Sequence, residues 1–145
     1  GIGATHNDMI LPDDRVLKMI GKVGLKEYRE MLPGFDLGLA LMYTPHPSLL
    51  PIEMAAAGQV VVTNTCINKT VDELQNISSN FCVAEPTISS VADTLAEAAS
   101  RVANLSARES GAQVNWSQNW DQTFSPDLLQ QVREWFPAVK LEKLD

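Results

Sequence analysis

The chain has 145 residues, of which 45% are hydrophobic and 20% charged, and its formal net charge at pH 7 is −7. This length corresponds to about one domain with one hydrophobic core, and the composition excludes a disordered, a collagen-like or a disulfide-stapled chain. No apolar run approaches the roughly 18 residues of a membrane span, and the acidic balance excludes a surface that attracts nucleic acid as a whole. A phosphate group would have to be bound locally.

The first residues of the chain and its two cysteines give expectations about the whole protein and its cellular compartment. The first six residues, GIGATH, contain no initiator Met and no signal segment, so we expect the chain to be a piece of a longer protein. Cys66 and Cys82 have no partner at metal-ligand spacing. We therefore expect buried free thiols in a reducing compartment, the cytoplasm.

Short apolar runs alternate with amphipathic segments along the first half of the chain. Val16 to Ile20 is predicted to be a strand that ends at Gly21. A helix from Leu25 is stopped by Pro33 and Gly34, and the segment 36–42 has the continuous apolar character of a strand buried on both faces. The alternation predicts strand, helix and strand in this order.

The same alternation continues to about residue 104. A helix is predicted over 49–57, with Pro51 tolerated in its first turn and Gly58 as its C-terminal stop. The later elements predicted in this part are a strand over 60–63, a helix from Thr70 to Ile77, a strand over 81–84 and a helix from Ser90 to Asn104.

The C-terminal part is more polar. Residues 106–124 are rich in Ser, Asn and Gln but contain Trp116 and Trp120, which predicts an ordered surface loop that buries two aromatic anchors. Ser125 as N-cap and Pro126 as first helical residue predict a closing helix over 125–145.

Four alternations of strand and helix predict an α/β fold with a Rossmann-like, doubly wound parallel sheet. We treat residues 1–145 as a single domain of this class. A nucleotide-binding half of this kind usually has five or six strands, so we expect its first strand or strands to lie upstream of Gly1.

Ligands of open parallel sheets bind at the carboxyl ends of the strands, and the loop after residue 42 stands out there. From Leu37 to Asn68 the only formally charged residue is Glu53, and His46 is the only other titratable side chain apart from Tyr43 and Cys66. A lone carboxylate early in a helix can accept hydrogen bonds from the vicinal hydroxyls of a sugar. The alternative is that Glu53 only stabilises the N-terminus of its own helix.

The residues before Glu53 are suited to an anion. Backbone amides near Ser48 and Leu49, at a helix N-terminus, could bind a diphosphate. His46 could donate to a phosphate or a sugar hydroxyl, or it could bond to a backbone carbonyl. Lys22, between glycines, could contact a flat or anionic ligand, or it could be solvated.

The loop and its neighbours also carry a resemblance to a known family. DLGLALM at 36–42, TPHPSLLPIEMAAAG at 44–58 and VVVTN at 60–64 resemble the donor-binding half of GT-B glycosyltransferases. They are most similar to bacterial rhamnosyltransferases that build rhamnan and related surface glycans, in which a Ser/Thr-Pro-His-Pro-Ser loop leads into a Pro-x-Glu-Met-Ala-Ala helix. The motif match covers residues 15–75.

The resemblance implies roles for individual residues. Glu53 would bind the ribose hydroxyls of a nucleotide sugar, and Lys22 would line the base or phosphate site. Backbone amides of the turn Pro47-Ser48-Leu49 would hold the diphosphate, and Thr44 and His46 would be further sugar or phosphate contacts. Many retaining members have a glutamate where this chain has Pro45, which leaves the sugar contacts open, with His46 as the substitute. No catalytic residue is assigned.

The resemblance also implies a reaction and its partners. The domain would bind a dTDP-linked deoxyhexose such as rhamnose for bacterial surface polysaccharide synthesis, without a metal or other cofactor. A glycan or lipid-linked acceptor would be bound by a missing N-terminal domain, with peripheral membrane association of the full-length protein and no nucleic-acid partner. The isolated chain would be inactive.

The alternative function is a non-catalytic ligand-binding or regulatory module on the same Rossmann-like fold. A receiver domain needs an acidic pair after its first strand and a phosphorylatable Asp after its third. Neither occurs near Ile20 or Met42. A parallel sheet by itself does not fix function.

Overall fold

The structure is a computed structural model that describes residues 1–3 and 7–136. It contains two compact units, Gly1–Val114 and Asn115–Asp145, where the sequence predicted one domain. Among the described residues every buried hydrophobic side chain lies in the first unit, between Leu32 and Ala98. The core therefore belongs to the first unit.

The chain begins with a hairpin. Strands β1 (Met9–Ile10) and β2 (Val16–Leu17) pair antiparallel. The turn between them is closed by a hydrogen bond from the Leu11 amide to the Arg15 carbonyl, 2.8 Å long, and Asp14 has a left-handed φ of 62°. The strand predicted over 16–20 is thus shorter than expected and lies outside the parallel sheet, because the turn folds it back onto the residues before it.

The main sheet has three parallel strands in the order β3-β4-β5. These are β3 (Leu37–Leu39), β4 (Val60–Asn64) and β5 (Phe81–Ala84). The central strand β4 is buried along its whole length, as its unbroken apolar sequence indicates. The helices on this sheet confirm the α/β, Rossmann-like class, with one parallel strand fewer than predicted among the described residues.

Four helices accompany the sheet in the first part of the unit, and three of them begin where the sequence predicts. They are α1 (Leu25–Met31), which continues into a 3-10 turn over Leu32–Gly34, α2 (Leu49–Ala56), α3 (Val71–Ile77) and α4 (Ile88–Arg101). Helix α4 begins earlier than Ser90, because the Thr87 hydroxyl accepts a hydrogen bond from the Ser90 amide at 3.2 Å and caps the helix. Gly58 follows α2 with a φ of 84°, as predicted for a stop.

Helix α4 packs on β4 and β5, and α2 packs on β3 and β4. On the α4 side a core cluster joins Val60, Val62, Cys82 and Ala98, with Leu37, Leu95 and Val102 packed against it. Helix α4 therefore faces the sheet with Leu95 and Ala98. Cys66 and Cys82 are buried free thiols, also as predicted.

The segment predicted as a loop over 106–124 contains two helices, α5 (Leu105–Gly111) and α6 (Trp120–Thr123). Asn104 caps α5, because its side-chain oxygen accepts from the Ala107 amide at 3.1 Å. Trp120 is 75% exposed, so the prediction that it is a buried anchor was wrong. It stacks instead on Phe124, with ring centroids 5.6 Å apart.

The last described element is α7 (Pro126–Trp135), capped by Ser125 as predicted. The rest of the predicted closing helix, residues 137–145, lies outside the described residues. No helix in the described part of the chain is long and apolar enough to cross a membrane.

Candidate functional site

The loops that follow β3 and β4 lie at the carboxyl edge of the parallel sheet, where ligands of such sheets bind. Each loop contains a non-glycine residue with a left-handed φ, Ser48 at 66° and Ile67 at 52°. This conformation is unfavourable for residues with a Cβ, and it is often found at binding sites. The strain directs attention to this edge of the sheet.

Ser48 shapes the entry into α2. Its side-chain oxygen accepts from the Leu50 amide at 3.3 Å, and its own amide donates to Nδ1 of His46 at 2.9 Å. The Ser48 amide is therefore already engaged, and Pro47 has no N–H to offer. Within the described structure the Leu49 amide is the member of this turn that has no acceptor.

The same contact fixes the state of His46. Because Nδ1 accepts a hydrogen bond, the neutral ring carries its proton on Nε2. The side chain is exposed, so Nε2–H can donate to a ligand. His46 thus accepts from a backbone amide, where the structural alternative named a bond to a backbone carbonyl, and it keeps Nε2–H as an outward donor.

Glu53 lies in the second turn of α2, since the helix begins at Leu49 and has no acidic residue in its first turn. The attraction of a carboxylate to the helix dipole falls off within the first turn, which weakens the alternative that Glu53 serves only its own helix. The side chain is exposed, and its Oε2 accepts a hydrogen bond from the Tyr28 hydroxyl at 3.0 Å. No described residue donates to Oε1.

Tyr28, on α1, is a residue of this site that no sequence motif singled out. Burial, followed by the bond to the Glu53 carboxylate, raises the pKa of Tyr28 to about 12. The phenol is therefore a neutral donor at physiological pH. Its position among apolar residues gave no indication of the contact, because the partner lies 25 residues away in sequence.

Lys22 lines a groove of about 360 Å³ together with Ile2, Gly3, Val23, Leu25 and Tyr28. Tyr28 therefore connects this groove to Glu53. The structure brings together three groups: an exposed cation, a neutral phenol and a carboxylate. Pro47, Ser48 and Leu49 lie at the N-terminus of the helix whose second turn carries Glu53, and the exposed Thr44 precedes them in the loop.

A second, apolar cavity of about 530 Å³ lies on the α4 side, lined by residues 41–43, by Asn64 and by the first turns of α4. Asn64, at the end of β4, holds both polar groups of the Met42 backbone. Its Oδ1 accepts from the Met42 amide at 2.8 Å, and its Nδ2 donates to the Met42 carbonyl at 3.2 Å. Among the described residues no three His, Cys, Asp or Glu side chains are placed to hold a metal ion.

A parallel sheet with helices packed on it defines the class of Rossmann-like α/β domains, whose ligands bind at the carboxyl edge of the sheet. Residues 1–96 match the family model described as "WsaF, C-terminal domain". The match covers more than half of the chain, and the chain belongs to this family, a family of glycosyltransferase domains. The resemblance seen in the motifs is confirmed at this level.

A curated relative is the O-antigen biosynthesis protein RfbC of Myxococcus xanthus. It is 47% identical over 73 residues, which are 50% of this chain and 5% of that protein. The chain thus corresponds to a small part of the relative's length.

Proposed function

We propose that this chain is the donor-binding domain of a GT-B glycosyltransferase that acts in the synthesis of O-antigen or a related bacterial surface glycan. Membership of the WsaF C-terminal domain family and the name of the RfbC relative, an O-antigen biosynthesis protein, support a role in this process. The nucleotide part of a nucleotide sugar is the proposed ligand.

The observation that carries the proposal is the pairing of Glu53 with Tyr28 beside the groove that Lys22 lines. A carboxylate is a strong acceptor for sugar hydroxyls, and bonds to a charged group are about twice as strong as neutral ones. The groove next to it has apolar walls and one cation, which suit a flat base joined to phosphates. The Leu49 amide and His46 Nε2–H are donors available to the diphosphate.

The hydrogen bond between Tyr28 and Glu53 also supports a particular pentose in the nucleotide. It engages Oε2 and leaves Oε1 without a described protein donor. A vicinal pair can bond one hydroxyl to each carboxylate oxygen; because Tyr28 engages Oε2, the site suits one hydroxyl, the 3′-hydroxyl of a 2′-deoxyribose, better than a pair bound in this way. We therefore propose a dTDP-linked donor, with rhamnose or a similar deoxyhexose as the transferred group.

In this proposal the transfer uses no metal, so donors of the protein stabilise the leaving diphosphate. The acceptor, a glycan or a lipid-linked glycan, is bound by other parts of the polypeptide. The reaction takes place in the cytoplasm, with the full-length protein associated peripherally with the membrane.

The test is calorimetric titration of the full-length gene product with dTDP. Glu53→Ala is expected to weaken binding by about 1.5–3 kcal/mol, since it removes hydrogen bonds to a charged group. The matched control is Glu30→Ala, which removes another exposed carboxylate, 3.9 Å from Lys26 Nζ, and should leave the affinity unchanged.

Titrating dUDP beside UDP isolates the 2′-hydroxyl. The wild-type protein is expected to bind dUDP at least as tightly as UDP. In Tyr28→Phe the affinity for UDP should rise relative to that for dUDP. Unchanged dTDP affinity in Glu53→Ala would refute the carboxylate's role. A full-length protein that binds no nucleotide would favour the non-catalytic alternative.

A further inference from the structure

A lysine at the carboxyl edge of the sheet is almost completely buried. Lys69 ends the turn after β4, where its backbone pairs with that of Cys66, and it is 3% exposed. Lysine is rarely buried to this extent unless it is paired with an opposite charge.

Lys69 has no such pair. Its ammonium donates to the carbonyl of Met42 at 2.7 Å, and no carboxylate of the described residues lies within 4.0 Å of it. Burial lowers the pKa of Lys69, and the neighbouring Cys66 partly opposes this. Burying one charge costs several kcal/mol, and even buried ion pairs can often be replaced by apolar side chains of similar volume without loss of stability. Stability alone therefore does not explain this lysine.

The contact that Lys69 makes points to a role. Met42 lies three residues beyond the end of β3 and directly precedes the loop Tyr43–Ser48, and its carbonyl accepts from both Lys69 and the buried Asn64. Two buried side chains thus hold the origin of the loop that carries His46 and ends at the strained Ser48. A fixed origin restricts the positions that the loop's donors can adopt.

We propose that Lys69 is a positioning residue for the diphosphate of the donor. This inference rests on the proposed function. Through the Met42 carbonyl the ammonium holds the Tyr43–Ser48 loop in the form that receives the phosphates, and its unneutralised charge favours an anion at this edge. It acts on the phosphate end of the ligand and leaves the nucleoside end to Glu53, Tyr28 and Lys22.

The test titrates the full-length gene product with dTDP and with thymidine, and it compares Lys69→Met, Lys69→Arg and the control Lys26→Met, which alters an exposed lysine. In Lys69→Met we expect dTDP binding to weaken about tenfold or more, because a hydrogen bond from a charged group is lost. Thymidine binding should stay within about twofold, and the melting temperature without ligand should be unchanged or higher. Lys69→Arg keeps the charge and donors and should retain most of the dTDP affinity.

Three results would overturn the inference. The first is unchanged dTDP binding in Lys69→Met, and the second is an equal loss of dTDP and thymidine binding in that variant. The third is a Lys69→Met variant that unfolds or melts at a markedly lower temperature, together with loss of dTDP binding in Lys69→Arg. Any of these would show that Lys69 has no role in binding the diphosphate or serves only the stability of the fold. A wild-type protein that binds neither ligand would instead refute the proposed function.

Discussion

At the scale of single residues, the candidate site is defined by which donors and acceptors are already occupied. The Ser48 amide is bonded to His46, whereas the Leu49 amide is free among the described residues. Glu53 has one oxygen bonded to Tyr28 and one available to a ligand. These existing hydrogen bonds reduce the amides available to the predicted anion site to that of Leu49. They also add to the candidate site the Tyr28 phenol, which no motif indicated.

Tyr28 gives a prediction about pH. Because burial and the Glu53 carboxylate raise the pKa of Tyr28 to about 12, against about 10 for an unperturbed tyrosine, the folded state holds the phenolic proton more tightly than the unfolded state. The resulting stabilisation is complete below pH 10 and is lost as the pH rises towards 12. The free energy of unfolding should therefore fall over this window in the wild-type protein and fall less in Tyr28→Phe. The difference between the phenolate absorbance titrations of the two proteins should have its midpoint near pH 12, and a midpoint near 10 would contradict the buried contact.

At the scale of elements, α5 is held to the rest of the first unit by polar contacts rather than by an apolar stripe. Asn80 Nδ2 donates to the Ala55 carbonyl at 3.3 Å and to the Arg108 carbonyl at 2.9 Å, and the Ser78 hydroxyl donates to the Gly111 carbonyl at 2.6 Å. Arg108 in turn donates to the Gly58 carbonyl and to Asp36. These bonds fix α5 beside the ends of other elements, and a periodicity search does not detect them.

Gly111→Ala tests this packing. A Cβ at this position would overlap the Asn80 side chain and lie 2.9 Å from the Asn80 amide nitrogen, so one of the buried bonds must shift. We expect the free energy of unfolding to fall by about 1–3 kcal/mol, as in other overpacked positions, measured by urea denaturation. In the control Gly34→Ala the new Cβ meets nothing within 4 Å, and the stability should change much less. Equal effects of the two substitutions would show that the contact with Asn80 is not tight.

At the scale of the whole molecule, the buried core and the candidate site both lie in the first unit. The described residues of the second unit include no buried side chain in α6 or α7.

Within the parallel sheet, β3 is an edge strand. Its Leu39 is 48% exposed, and Leu41 and Met42, which follow the strand, are also exposed. An edge of this kind is suited to pairing with a further strand, as in the five- or six-stranded sheets of the class.

The division into units predicts the result of a truncation. A chain cut after Val114 keeps every described buried hydrophobic residue. Its melting temperature should remain within about 4 °C of that of the whole chain, the shift that about 1 kcal/mol produces in a domain of this size. A cut after Leu95 removes Ala98 from the core cluster and should abolish cooperative unfolding followed by circular dichroism. Loss of the transition in the Val114 truncation would contradict the division.

The sequence by itself determined the α/β class, the parallel strands β3 to β5, the helices α1 to α4 and the position of Glu53 near the start of α2. These features depend on local rules, namely apolar runs, caps such as Thr70, and stops such as Gly58, and each can be read within a few neighbouring residues. The tertiary structure alone decided that Val16–Leu17 pairs within a hairpin, that Tyr28 reaches Glu53, and that Lys69 holds the origin of the loop. Such contacts join residues 25 and 27 positions apart through single polar atoms, and no periodic pattern specifies which distant acceptor a buried donor will meet.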